Sequence, residues 1–205
     1  MKPKRSLMYI ASFLMLTIAP TGRFVFGLTL VLELLLLEVF GILINSLVTK
    51  LKYDQIRTYF VMFFMISITI LYRQILVLTY TEIVLVLGFL LYVPPVSIFL
   101  THTIFSDYEE PLELRLKTNI LNTLVLCVMI LAFYLFRDVA AYGTFTFFGK
   151  NHRIFEKVLF NPNKVGIFSF FATIPGALVL TGLMIYFFLF LRNKFRIINS
   201  RGEKK

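Results

Sequence analysis

Long apolar runs separated by short polar stretches dominate the chain: Leu7 to Pro20, Phe24 to Val48, Tyr59 to Leu78, Ile83 to Phe105, Asn119 to Phe136 and Val165 to Leu191. The runs lack the period-two alternation that a lipid-facing barrel strand would show, so they predict helices. Two of them are interrupted. The first opens after the basic stretch "MKPKR" and meets Pro20, Gly22 and Arg23 about 13 residues after Leu7, short of the roughly 20 needed to cross a bilayer. The fourth carries Pro94 and Pro95 in tandem, which remove two amide donors and disfavour helix just before them.

These runs predict an all-α integral membrane protein of six transmembrane helices in one membrane domain. The interrupted runs open each group of three. That is the arrangement expected of two inverted three-helix repeats, 1–80 and 81–205, whose broken helices meet near the membrane midplane. The alternative is that the prolines only kink two full helices.

Composition agrees: 59% of the 205 residues are hydrophobic and the mean hydropathy is +0.84, outside the range of an ordinary soluble domain. The net charge of +10 does not imply nucleic acid, because Lys and Arg sit in the tails and between apolar runs, where positive charge sets membrane orientation. With both ends cytoplasmic, that side receives Lys2, Lys4, Arg5, Lys50, Lys52, Arg57, Arg115, Lys117, Arg192, Lys194, Arg196, Arg201, Lys204 and Lys205. The opposite side receives half as many: Arg23, Arg73, Arg137, Lys150, Arg153, Lys157 and Lys164. The rule therefore favours N-in and C-in. A cleaved signal peptide is the alternative for the N-terminus, but "TIA" lacks the usual pair of small residues before a cut.

Cys127 is the single cysteine, which excludes an intrachain disulfide and a multi-thiolate metal site built by this chain alone. It reads as a small buried apolar residue. Glu33 and Glu38 lie deep in the second run, where a carboxylate is costly unless it faces protein, water or a counter-charge, so they are the candidates for an ion path. At about 100° per residue they project roughly 140° apart, not as a pair on one face; Glu38 shares its face with Asn45. The competing reading is that both only pair with a partner helix or with Arg73. Arg73 and Glu82 read as interfacial anchors, and Arg137-Asp138 mark the end of the fifth helix. His102 and His152 lack a second ligand at helical spacing. The segment 138–166 interleaves phenylalanines with basic residues and is expected to lie along the membrane interface or against a partner, while 106–117 reads as a solvated turn. No phosphate-cradling glycine loop, nucleophile with a base, or flavin attachment motif is present.

"FRDVAAYGTFTFFG" followed by "IPGALVLTGLMIYFFLFLRNK" resembles the six-helix membrane subunits of the Rnf electron-transport complex and of the sodium-translocating NADH:quinone reductase, closest to the RnfE/NqrD branch of that family. That branch carries an Arg-Glu pair, a Gly-Thr-Leu-Phe-Gly-like turn and a Pro-Gly-Ala-Phe stretch. The counterparts are Arg137-Asp138, Gly143-Thr144-Phe145 with Gly149, and Pro175-Gly176-Ala177-Leu178. "IRTYFVMFFMISITILYRQIL" is similar to the family's third helix.

The resemblance implies a bacterial inner-membrane subunit that pairs with a sister six-helix subunit and further subunits of the complex, some carrying flavin. In the family a cysteine in each broken helix contributes to a [2Fe-2S] cluster shared with the sister. Here Ala19 stands at the first cysteine position and Leu100 or Thr101 at the second, and none can donate a thiolate. The expectation is therefore a structural or ion-path subunit that binds no cofactor or metal alone and has no catalytic residue of its own. The rivals are a small membrane transporter or substrate-binding component gripping a solute with its broken helices, and a stand-alone assembly protein.

Overall fold

A computed structural model describes residues 3–18, 20–51, 53, 55–101, 112–149, 153–160, 168–186 and 190. The helices are α1 (Pro3–Ile18), α2 (Phe24–Lys50), α3 (Arg57–Thr79), α4 (Thr81–Leu87), α5 (Val93–Thr101), α6 (Leu112–Arg137) and α7 (Ile174–Tyr186). Four apolar helical stretches are long enough to cross a membrane: Phe24–Lys50, Arg57–Thr79, Thr81–Thr101 and Leu112–Tyr142. In the first and last runs the apolar helices among the described residues, Met8–Ile18 and Ile174–Tyr186, are shorter.

Both interruptions are present, each with a local cause. α1 stops at Ile18, and Pro20–Arg23 is non-helical before α2 begins at Phe24. In the fourth run, Gly88 turns the chain at φ 48°, a left-handed value that favours glycine, and Gly88–Tyr92 forms a 3-10 turn between α4 and α5. Pro94 and Pro95 fall in the first turn of α5, where a missing amide costs nothing because it would have no intrahelical acceptor. The prolines thus start a helix, and the break lies just before them.

α2 is the centre of the bundle, packed on α6 along one side and α3 along another. Its glycine-mediated approach to α6 is close: a Cβ on Gly27 would overlap the Tyr134 ring. One core cluster joins Phe13 and Leu16 of α1, Val31 and Leu34 of α2, Met65 of α3, Ile98 of α5 and Phe133 of α6. A second joins Val25 and Phe26 at the start of α2, Leu76 near the end of α3 and Ile83 and Val84 of α4, with Phe148 and Ile154 packed on it. Outward, α3 shows Tyr59, Phe63, Leu71 and Leu78 at 63–81% exposure, an apolar face that suits lipid and not water.

The chain departs from an all-helical fold at residues 144–158. Strands β1 (Thr144–Phe148) and β2 (Ile154–Val158) pair antiparallel with Thr146 opposite Glu156. "TFTFF" alternates polar and aromatic residues with the period of a half-buried strand; Thr144 and Thr146 are buried while Phe147 is exposed. Phe155, Val158 and Phe160 are exposed as well, so the hairpin presents the aromatic surface expected of this segment. The ends of α1, α3 and α6 and the starts of α2 and α4 meet this hairpin, and successive long helices alternate in direction.

Candidate functional site

At the hairpin end lies a buried polar knot built on two adjacent residues. Arg137, the last residue of α6, is 1% exposed and Asp138 is 0% exposed. The Arg137 guanidinium donates to the carbonyls of Pro20 (2.9 Å) and Thr17 (3.4 Å) at the end of α1, and to Phe171 (2.9 Å) and Ala172 (3.1 Å) in the 3-10 turn Phe168–Ala172 that precedes α7. One planar fork therefore satisfies carbonyls left without partners at two places where regular helix stops. Gly22 leaves room for it: a Cβ there would stand 2.5 Å from the Arg137 side chain. Tyr134, one turn earlier, donates to the Leu16 carbonyl at 2.7 Å and seats the same end of α1.

Asp138 does the complementary work for donors. Its Oδ2 accepts from the Phe24 amide (3.1 Å), the Thr146 amide (2.8 Å) and the Thr146 hydroxyl (2.7 Å), and its Oδ1 accepts from the Thr144 hydroxyl (3.0 Å). A carboxylate at the first amide of α2 is favoured by the helix dipole and by the unpaired N–H groups there. Gly143, at φ 64°, ends the turn Asp138–Tyr142 and swings the chain into β1; its carbonyl accepts from the Leu159 and Phe160 amides. Arg23 strengthens the attachment by pairing with Glu156 at 3.2 Å and lying over the Tyr142 ring. Glu82, expected as an interfacial anchor, accepts from the Ile154 amide at 3.4 Å.

Glu33 and Glu38 sit elsewhere, roughly 14 and 21 Å along α2 from Phe24 at 1.5 Å per residue. Both are 0% exposed. They face different neighbours, as their angular offset requires: Glu33 lies beside Thr69 and Tyr72 of α3, and Glu38 beside Cys127 of α6. Neither Glu33 oxygen has a hydrogen-bond partner, nor has the Thr69 hydroxyl; the two groups are neighbours outside hydrogen-bond geometry. Tyr72 donates to the Thr29 carbonyl at 2.9 Å. Asn45 is buried on the Glu38 side of α2.

Ala19, His102 and His152 lie outside the described residues, as do most of 106–117 and part of 138–166. Leu100 is 39% exposed, and buried Thr101 donates its hydroxyl to the Ile98 carbonyl at 3.0 Å. The Ser12 hydroxyl bonds to the Ser97 carbonyl, and α1 and α5 run in opposite directions. Ile18 and Thr101 are therefore separated by roughly 15 Å along the bundle axis, so the residue preceding Ala19 is not level with the second position. Leu100 and Thr101 do not fit an iron–sulfur centre: the first has no donor atom and the second spends its hydroxyl on the backbone. Among the described residues no three His, Cys, Asp or Glu side chains gather as a metal site.

The polar knot was the feature least visible in sequence. Arg137-Asp138 reads as the close of a helix, and only the Thr-x-Thr that follows hints at hydroxyls available to a buried carboxylate. Compared with known proteins, the chain matches no family model and no curated relative.

Proposed function

We propose that this chain is a membrane subunit of an Rnf- or Nqr-like ion-translocating electron-transport complex, acting as scaffold and ion-path half of the membrane core without its own share of an iron–sulfur cluster. The observation that supports the reading is the convergence of three sequence stretches on which the resemblance rests. Arg137-Asp138, Gly143-Thr144-Phe145 and the segment leading into Pro175-Gly176 share one knot, in which Arg137 reaches Phe171 and Ala172 and a Cβ on Gly176 would strike the Phe170 carbonyl. Residues kept to hold two helix breaks and a hairpin together suit a scaffold and need no redox centre. On this reading α1 and α7 belong to two further crossings, the six crossings form two inverted repeats, and both ends are cytoplasmic in a bacterial inner membrane. The partners are a sister six-helix subunit and flavin-bearing chains.

The test is a mild-detergent pull-down of the chain, with mass spectrometry and flavin and iron analysis. Co-purification with flavin-bearing membrane partners is the expected result. Recovery of the chain alone, with a solute bound, would overturn it in favour of a small transporter.

A further inference from the structure

Glu33 and Thr69 present an unusual combination between α2 and α3. Two carboxylate oxygens and one hydroxyl, all fully buried, make no hydrogen bond, although the two side chains are neighbours. A membrane interior leaves such groups unpaired only at high cost, and an intramembrane carboxylate without a counter-charge marks a functional position by default.

The surroundings narrow the ligand. From α3 the titratable neighbour is Tyr72, whose hydroxyl is already committed to the Thr29 carbonyl. Cys127, the titratable group contributed by α6 at this depth, lies beside Glu38; Glu38 itself projects from another face of α2. The described part of α5 contributes the hydroxyls of Ser97 and Thr101 and no ionisable side chain, and α1 contributes Tyr9. No ion pair joins Glu33 to a Lys, Arg or His among the described residues. A bound metal cation would need many more oxygens, since oxygen-preferring cations such as Ca²⁺ and Mg²⁺ take six or more. Glu33 and Thr69 together offer three.

We propose that Glu33 and Thr69 form a proton-binding site between α2 and α3: a proton adds to one Glu33 oxygen, forming an O–H bond that neutralises the carboxylate and gives the pair its missing donor. The neutral acid then donates to the Thr69 hydroxyl, or accepts from it through its remaining oxygen, after a small side-chain rotation. Release of the proton restores the charge, and with it the demand for water or a counter-charge at that seam. Proton occupancy is thus coupled to how tightly α2 and α3 close. The binding itself stands independently of the complex proposed above; only its use in ion translocation rests on that reading.

Infrared spectroscopy of the full chain in lipid nanodiscs tests this, with hydrogen–deuterium exchange to identify carboxylic acids. At neutral pH a protonated-acid carbonyl band is expected that Glu33→Gln removes, Glu38→Gln leaves in place and Thr69→Val shifts in frequency; added Na⁺ should leave it unchanged. A Glu33 signal of the ionised carboxylate would overturn the proposal. So would a band insensitive to Thr69→Val, or one abolished by Na⁺, which would make this a sodium site. Should Glu33→Gln fail to fold, the Thr69→Val shift and the Na⁺ titration still decide. These readouts do not depend on partners, so a failed pull-down and a missing band refute different statements.

Discussion

Replacing Arg137 by Met removes the fork that joins the end of α1 to the turn before α7 while keeping a side chain of similar reach. Three of its bonds are short, to Pro20, Phe171 and Ala172, and the fourth, to Thr17 at 3.4 Å, is weak. At about 1.5–3 kcal/mol for a bond with a charged partner, the three short ones amount to roughly 5–9 kcal/mol. The Phe171 and Ala172 bonds are only partly buried, so water can replace part of what they supply. A net loss of about 3–5 kcal/mol is then expected, similar to the cost of removing one member of a buried charged network. For a chain of this size that is a fall of roughly 6–20 °C in the unfolding midpoint, measured by thermal unfolding in detergent or nanodiscs. Arg137→Lys separates geometry from charge. An ammonium is a point donor and cannot span both carbonyl pairs, so it should recover less than half of the loss. A Met variant as stable as the parent, or full recovery by Lys, would refute the argument that a planar fork holds the two helix breaks.

Asp138→Asn should cost about 2–3 kcal/mol, because one acceptor oxygen becomes an amide donor facing other donors; faster hydrogen exchange at the Thr146 and Phe24 amides reports it, and unchanged protection would remove Asp138 from its role. Gly27→Ala drives a methyl into the Tyr134 ring, and overpacking of this kind costs about 1–3 kcal/mol; an unchanged unfolding midpoint would mean that α2 and α6 have slack there. If the chain serves ion translocation, Glu33→Gln or Glu38→Gln should impair pumping by the assembled complex more than its assembly, which paired transport and co-purification measurements separate; unchanged pumping in both would leave the two residues structural.

The sequence by itself determined where the helices run and where they fail. Long apolar runs demand internally satisfied backbone, and Pro20, Gly88 and Pro94-Pro95 act locally, through missing donors and a left-handed turn, so both interruptions could be read without knowing their neighbours. The 140° offset of Glu33 and Glu38 is also a property of one helix, and the two do face different partners. The hairpin was legible in part: the alternation of "TFTFF" was there, but within a loop of aromatic and basic residues it did not stand out from an interfacial coil. Tertiary structure alone decided which buried groups are satisfied. Arg137 meets carbonyls more than 110 positions earlier in the chain, and Asp138 caps a helix that starts at Phe24. Glu33 finds Thr69 beside it yet unbonded. A hydrogen bond between segments this far apart in sequence depends on how the helices cross and at what height. Those are set by packing of whole faces, such as Gly27 on Tyr134, and no short stretch of residues encodes them.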